Sequence, residues 1–171
     1  MSREDHSRVA GGGTGPTDQK TQPSLALLCR LASGLCALPL DCVIETMRPL
    51  PVARVDHAPP FVLGLAVVRG EAIPVIDGAR LLGAGPASLA RRFVTLKVGS
   101  RRVALAVDDV VGLRDLAALS LGALPPLLAQ VETDAVAAIG SLDQQLLLVL
   151  GGARAVPASA WAALETVRVA P

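Results

Sequence analysis

The sequence is poor in aromatic residues: it has no tyrosine, one tryptophan and two phenylalanines. The rings on which proteins stack single-stranded bases are therefore almost absent. Neither sign of charge dominates, because 16 basic and 15 acidic residues are scattered along the chain and leave a net charge of +1. A basic patch for a phosphate backbone is not predicted. Together these two shortages argue against nucleic acid as a partner.

Long apolar runs are also missing, although 51% of the residues are hydrophobic. A membrane-spanning helix needs about 20 consecutive apolar residues, and every candidate stretch is interrupted, for example at Asp41, Pro125 and Gly151. The N-terminus mixes both charge signs and lacks the apolar region of a secretory signal. We therefore expect a cytoplasmic protein that does not insert into the membrane itself, with a core of Ala, Val and Leu.

The residues that carry catalysis or bind metals are few. Cys29, Cys36 and Cys42 lie in apolar segments without CxxC spacing, which is typical of buried thiols in a reducing cytoplasm. Together with His57 they lack the short chelating spacings of a zinc site. The other histidine, His6, lies in a polar N-terminal segment. A Cys42/His57 pair nevertheless leaves a small hydrolase open as an alternative.

Other enzymatic signatures are incomplete. The segment 64–70 lacks the GK[ST] ending of a phosphate-binding loop, and the glycines at 11–13 follow no predicted strand. Asp77, Asp108 and Asp109 each follow an apolar strand, where aspartate commonly hydrogen-bonds its own backbone in a turn. We therefore predict a protein without enzymatic activity, cofactor or metal.

The chain divides into three parts by composition. Residues 1–23 are polar and rich in Gly, Pro and Thr, and we predict a disordered tail. Residues 24–152 form the predicted domain, with a possible subdomain junction near 83–90. Residues 153–171 form a C-terminal extension, in which a short helix is predicted around Trp161.

Alternating apolar residues and turn signals predict a series of short β-hairpins. Their turns are placed at Ser33-Gly34, Arg69-Gly70, Gly99-Ser100 and Asp143-Gln144. The strand after the last turn is apolar on both faces and is predicted to be central. The sequence has no βαβ rhythm, so the predicted class is all-β, built as small antiparallel barrels.

Three local features complete this prediction. Val43, Glu45 and Met47 share one face of an extended segment that ends before Pro49. Proline residues ahead of Phe61 predict a short helical turn over 61–63. Pro74 predicts an edge or bulge position for its strand, because proline cannot donate to a ladder hydrogen bond.

One run of residues is specific enough to indicate a family. Residues 58–77 read APPFVLGLAVVRGEAIPVID, and this order of a proline-rich entry, a glycine, a strand, Arg-Gly and a closing Pro-Val-Ile-Asp resembles the signature of CheW-like domains. Leu38-Pro39-Leu40 upstream and Val107-Asp108-Asp109-Val110 downstream resemble the neighbouring strands of that family. The resemblance covers about residues 24–152.

This resemblance implies two intertwined SH3-like five-stranded barrels around a shared apolar core. It also implies an adaptor that couples the regulatory domain of a CheA-type histidine kinase to the cytoplasmic tip of methyl-accepting chemoreceptors, at receptor arrays on the inner face of the membrane. The positions that match the family's receptor-contacting region are Val43, Glu45, Gly64, Arg69 and Gly70. Arg69, at a hairpin tip, can pair with Glu45 across neighbouring strands and hold the apolar receptor groove in shape, or donate its guanidinium to a partner. Its structural interpretation is a solvated turn charge.

Two alternatives remain open beside the hydrolase. The first is an adaptor role in a paralogous kinase pathway, for surface motility or development, because Val67-Val68 stands where the family often has Asn-Leu. The other is a stand-alone β-barrel that binds a small apolar ligand in its interior. Val43, Gly64 and Gly70 also have purely structural interpretations, as a core residue and as glycines that the backbone requires.

Overall fold

The computed structural model describes residues 25–32, 34–83, 90–123, 135–152, 156, 158, 161 and 162. Short strands dominate this part of the chain. They are β1 (Leu25–Leu31), β2 (Gly34–Pro39), β3 (Val43–Met47), β4 (Val62–Val68), β5 (Glu71–Asp77), β6 (Arg92–Val98), β7 (Arg101–Val107), β8 (Asp109–Asp115), β9 (Val136–Leu142) and β10 (Gln145–Leu150). Helix α1 (Gly78–Leu81) and two 3-10 turns, Leu40–Cys42 and Leu116–Ala118, lie between them.

Two segments of the predicted organisation fall beyond this description. The tail over 1–23 lies outside the described residues, as does most of the possible junction near 83–90. Of the predicted C-terminal helix, Ala158, Trp161 and Ala162 are described and are helical. Among the described residues, no helix is long and apolar enough to cross a membrane.

The strands form two five-stranded sheets, which confirms the all-β class and the pair of small barrels. Barrel A has the order β8-β1-β2-β10-β9 and barrel B the order β3-β6-β7-β5-β4. Neighbouring strands are antiparallel except for β10 with β2 and β5 with β7, which are parallel. Strand β10 lies between β2 and β9, so the prediction that the closing strand is central is also confirmed.

The two barrels exchange strands along the chain. Hairpin β1–β2 pairs with β8 and β10 from the second half, whereas hairpin β6–β7 pairs with β3 and β5 from the first half. The registers of the two barrels match: an extra residue, Ile44 in β3 and Val111 in β8, shifts the pairing at the same point of each edge strand. Barrels A and B are therefore two copies of one topology with reciprocal strand exchange.

The four predicted hairpins are all present. Arg69 and Gly70 have φ values of 51° and 83°, and Asp143 and Gln144 have 50° and 63°. Two successive residues with positive φ are the mark of a type I′ turn, whose twist fits the flanking strands. Arg69 therefore holds a left-handed conformation that non-glycine residues rarely adopt.

Two local predictions were wrong. No helical turn forms over 61–63, because Phe61 ends a turn in which the Val62 amide donates to the Pro59 carbonyl at 2.8 Å, and β4 begins at Val62. Pro74 does not lie on an edge strand, since β5 has β4 and β7 as neighbours. It does not lie in a bulge either, since it pairs with Leu65 and the register shift falls between Val62 and Gly64. The parallel register with β7 begins only at Val75, so the missing amide of Pro74 precedes that ladder.

The core has three parts. The largest cluster lies between the barrels and takes residues from both, including Leu38, Ile76, Leu105 and Leu150, each exposed by 1% or less. The interior of barrel A contains Ala26, Leu28, Leu35, Ala37, Leu116, Ala138, Leu147 and Val149. The interior of barrel B contains Ala66, Val68, Ile73, Val75, Phe93, Ala104 and Ala106. Hairpin strands such as β1 and β7 are thus buried on both faces, which explains why their apolar runs are nearly continuous.

Candidate partner-binding site

The predicted site residues lie near a seam of barrel B, the place where a bridge between Ala53 and Leu65 ties the chain after β3 to β4. Strands β3 and β4 form the two edges of its sheet, and the chain leaving β3 returns to β4 through a bridge between Ala53 and Leu65. Both backbone hydrogen bonds of this bridge measure 2.8 Å. The bridge ties edge strand β4 to the segment that follows the other edge strand, β3, and the end of hairpin β4–β5 lies close to β3.

Gly64 makes this closure possible. Its φ of +143° is a conformation that side chains disfavour, and a Cβ built on it would overlap the carbonyl oxygen of Ala53. The register between β4 and β5 shifts at the same residue. Gly64 therefore lies at the seam, where its lack of a side chain lets two backbone segments approach, as the structural interpretation of the sequence predicted.

Arg69 and Glu45 meet across the seam as a two-pronged ion pair. The Arg69 Nε donates to Glu45 Oε1 at 2.8 Å, and Nη2 donates to Oε2 at 2.7 Å. This parallel geometry is the strong form of an arginine–carboxylate contact. The predicted pairing is therefore present, but it was wrong to place it across neighbouring strands, because β3 and β4 are the opposite edges of the sheet.

The pair determines the electrostatics of this surface. The hydrogen bonds from Arg69 hold the pKa of the Glu45 carboxyl below its usual value, and the positive charges of Arg69 and Arg102 act in the same direction. The same contact raises the pKa of the Arg69 guanidinium. Glu45 is thus a carboxylate and Arg69 a cation over the whole physiological pH range.

Arg69 is the exposed member of the pair. Its side chain is 74% accessible, against 23% for that of Glu45. Two apolar residues close to the pair in sequence are also exposed, Ile44 at 43% and Val67 at 65%. Arginine is enriched at protein interfaces, where it occurs together with exposed apolar area.

Sequence reasoning missed Ile44 and Val67 as surface residues. The period of two placed Ile44 on the face opposite Glu45, which was a usable signal for its exposure. Val67 gave no such signal, because its neighbours in the run are apolar as well.

The other predicted residues take different places. Gly70 completes the turn beside Arg69, and a Cβ placed on it would meet nothing within 4 Å. Val43 lies on β3 but is half-buried and packs against the core between the barrels. The structure thus brings together Glu45, Arg69 and Gly70 at the hairpin end, while Val43 contacts the interior.

The residues of the hydrolase alternative have other environments. Cys42 is buried, and its thiol donates to the Pro39 carbonyl at 2.9 Å. Burial, with the nearby charge of Asp41, raises the pKa of Cys42 to about 11, so the thiol stays protonated at neutral pH. His57 is exposed in a turn with a φ of 61°. This arrangement lacks the activated thiolate that nucleophilic catalysis requires.

Asp77 and the two remaining cysteines are structural. Asp77 Oδ1 accepts hydrogen bonds from the Ala79 and Arg80 amides and caps helix α1, as its position at a strand end predicted. Cys29 and Cys36 are direct cross-strand partners in hairpin β1–β2, and both are fully buried. Their contact and burial raise the pKa of Cys36 well above its usual value.

The paired five-stranded barrels and the closed seam match known proteins. The family model described as the CheW-like domain matches residues 25–158. This chain belongs to the CheW-like domain family. Its CheW-like fold resembles the crystal structure of the scaffolding protein TtCheW from Thermoanaerobacter tengcongensis, with a TM-score of 0.65 and 24% identity, over 75% of this chain and 89% of the other.

Two sequence relatives of this CheW-like chain carry different names. Protein FrzA of Myxococcus xanthus is 30% identical over 111 residues, which cover 63% of this chain and 68% of FrzA. The probable chemotaxis protein CheW of Rhizobium etli is 28% identical over 102 residues, covering 58% of this chain and 66% of that protein. A chemotaxis-type adaptor of the CheW family is the class that these matches support.

Proposed function

We propose that this CheW-like chain is an adaptor that couples the regulatory domain of a CheA-type histidine kinase to the cytoplasmic tip of methyl-accepting chemoreceptors. It acts without turnover or cofactor and reaches receptor arrays on the inner face of the membrane through its partners. The observation that carries the receptor half of the proposal is the Arg69–Glu45 pair at the seam of barrel B. Five residues that match the family's receptor-contacting region include both members of this pair.

The chemistry of the surface suits a reversible contact. Ile44 and Val67 offer apolar area, and Arg69 offers a fixed planar donor that Glu45 orients. A patch this small supports weak individual binding, on the order of micromolar, which an array of linked partners strengthens.

Co-purification tests the proposal. Tagged protein is mixed with a CheA-type kinase and a purified cytoplasmic fragment of a chemoreceptor, as wild type and as Arg69→Glu. We expect the wild type to retain both partners and Arg69→Glu to retain the kinase alone. Arg92→Glu is the matched control, because Arg92 is exposed on barrel B and its Nη1 donates to the backbone carbonyl of Arg91 rather than to an acid.

Three results would contradict the proposal. Loss of receptor binding in Arg92→Glu as well would mean that net charge, not the site, controls the contact. A large fall in the melting temperature of Arg69→Glu would assign Arg69 to folding. Wild-type protein that retained neither partner would favour the ligand-binding barrel, an alternative that the packed side chains inside both barrels disfavour.

An adaptor for a paralogous kinase pathway is the second candidate. It is supported by the similarity to FrzA, which is 30% identical, beside a chemotaxis CheW at 28%. The same co-purification is repeated with the kinases and receptors encoded in the source organism. The kinase and receptor that the protein retains then show which of the two pathways it serves.

A further inference from the structure

Charged side chains lie at one end of the interior of barrel B. Arg102 lies on the same face of β7 as Ala104 and Ala106, which belong to that interior. Glu71 likewise shares its face of β5 with Ile73. Each charged residue thus extends a row of core residues to the open end of the barrel, where the Arg69–Glu45 pair lies.

Arg102 and Glu71 form a second ion pair beside the first. The Nη1 of Arg102 donates to Glu71 Oε2 at 3.2 Å, and the two side chains are 50% and 54% exposed. The strand registers place Arg102 near Glu45: Glu45 pairs with Thr95, Thr95 pairs with Ala104, and Arg102 lies two residues from Ala104 on the same face of β7. Glu45 thus receives direct hydrogen bonds from Arg69, and the charge of Arg102 favours its ionised form at longer range.

Barrel A supplies an internal comparison, because the strand registers of the two barrels match. Arg102 pairs with Lys97 in hairpin β6–β7, and the residue at the same place in hairpin β1–β2 is Leu35, which pairs with Arg30. Leu35 is 6% exposed and packs inside barrel A. The position of Glu45 is taken by Gly112, and that of Glu71 by Gln145. At these three positions barrel A therefore has an apolar or neutral residue, whereas barrel B has a charged one.

We propose that Arg102, held by Glu71, is a positioning residue of the Arg69–Glu45 pair. Its charge helps to hold the Glu45 carboxylate in place, so that the exposed guanidinium of Arg69 keeps one orientation toward the receptor. This role rests on the proposed receptor-binding function of the pair. Arg102 itself acts through Glu45 and is not required to touch the receptor.

The first test measures the ionisation of Glu45 directly. Glutamate side chains are labelled with carbon-13, and the carboxyl shift of Glu45, assigned with Glu45→Gln, is followed by NMR from neutral to acid pH. We expect Arg102→Leu, which introduces the residue that barrel A has at the same place, to raise the pKa of Glu45. Arg92→Leu, the matched control, should leave it unchanged. An unchanged Glu45 titration in Arg102→Leu overturns the proposal.

The second test measures affinity for a purified cytoplasmic fragment of a chemoreceptor. We expect Arg102→Leu and Glu71→Gln each to weaken binding about two- to fivefold, the range for exposed ion pairs, with an unchanged melting temperature. Arg102→Gln, which keeps a polar side chain, should behave as Arg102→Leu does. An affinity equal to that of the wild type in all three variants would overturn the positioning role. If wild type itself does not bind the fragment, the receptor function fails, while the Glu45 titration still decides whether Arg102 positions the carboxylate.

Discussion

Glu45 and Gly112 lie at matching positions of the two barrels, each directly after the extra residue that shifts the register of an edge strand. Only Glu45 carries a charge, and the hairpin end opposite it carries Arg69, whereas the hairpin end of barrel A carries Asp143. The two barrels therefore share one backbone arrangement but carry different side chains at these positions. Such differences between matching positions separate the residues that the fold needs from those available for binding.

Glycines at two edge strands give a first prediction of this kind. Gly64 and Gly112 have nearly equal φ values, +143° and +145°, but a Cβ at Gly64 would overlap the Ala53 carbonyl, whereas one at Gly112 meets nothing within 4 Å. Gly112→Ala should therefore cost only backbone strain, about 1–3 kcal/mol. Gly64→Ala should cost more than Gly112→Ala, because the seam must also open. Urea denaturation of both variants measures the difference.

Equal losses of unfolding free energy in Gly64→Ala and Gly112→Ala would show that backbone strain alone determines the cost. The Ala53–Leu65 bridge would then shift enough to accommodate the added Cβ. This comparison measures stability alone, so its outcome does not depend on whether the chain binds a receptor.

Thr95 supports a second prediction, with the opposite sign. It is 2% exposed, and among the described residues its hydroxyl has no hydrogen-bond partner. Leu28 holds the matching position in barrel A. Thr95→Val removes an unsatisfied buried hydroxyl with little change of shape, so we expect a gain of about 1 kcal/mol in the free energy of unfolding. A loss of stability would indicate that a bound water satisfies the hydroxyl.

The sequence predicted the local elements well for a physical reason. Hairpin turns and alternating strands are encoded in short segments, and three turns lie where they were predicted, at Arg69-Gly70, Gly99-Ser100 and Asp143-Gln144. The first hairpin is also present, but Gly34 already belongs to β2 and pairs with Leu31. Proline was misread twice. After Phe61 the chain enters β4, so pairing with distant strands outweighs the local helical preference. Pro74 is tolerated inside the sheet because the hydrogen-bond ladder between β5 and β7 begins at the next residue, Val75.

The candidate site was predicted only in part, because it depends on how distant strands come together. The motif identified Glu45 and Arg69, yet their meeting depends on the closure of a seam between the two edges of one sheet. The contribution of Arg102 could not be predicted either. Its neighbours at the barrel end, Glu45 and Glu71, lie on β3 and β5 in the first half of the chain. They come near Arg102 only because those strands pair with hairpin β6–β7.

The cysteines give a third prediction. Cys29, Cys36 and Cys42 are all buried, and the pKa of Cys42 is raised to about 11. Because the thiolate is the reactive form, a chromogenic disulfide reagent at pH 8 should label the folded protein at least about tenfold more slowly than an exposed thiol. Ser100→Cys, in the exposed β6–β7 turn, supplies that comparison thiol. Rapid labelling of a native cysteine in the folded state would contradict the burial and reopen the hydrolase alternative.

The last prediction concerns acid. The pKa of Glu45 in the folded chain is lowered from the usual 4.5 by its hydrogen bonds with Arg69, so the ionised pair stabilises the fold fully above that usual value. The contribution is lost as the pH falls through the lowered pKa. We therefore expect Glu45→Gln to be less stable than wild type at pH 7 by an amount that stays constant down to about pH 5 and then disappears on further acidification. Urea denaturation along this pH series measures it, and Arg69→Gln should follow the same profile because it removes the same pair. A difference between wild type and Glu45→Gln that persists at acid pH would mean that Glu45 acts through packing of its side chain and not through its charge.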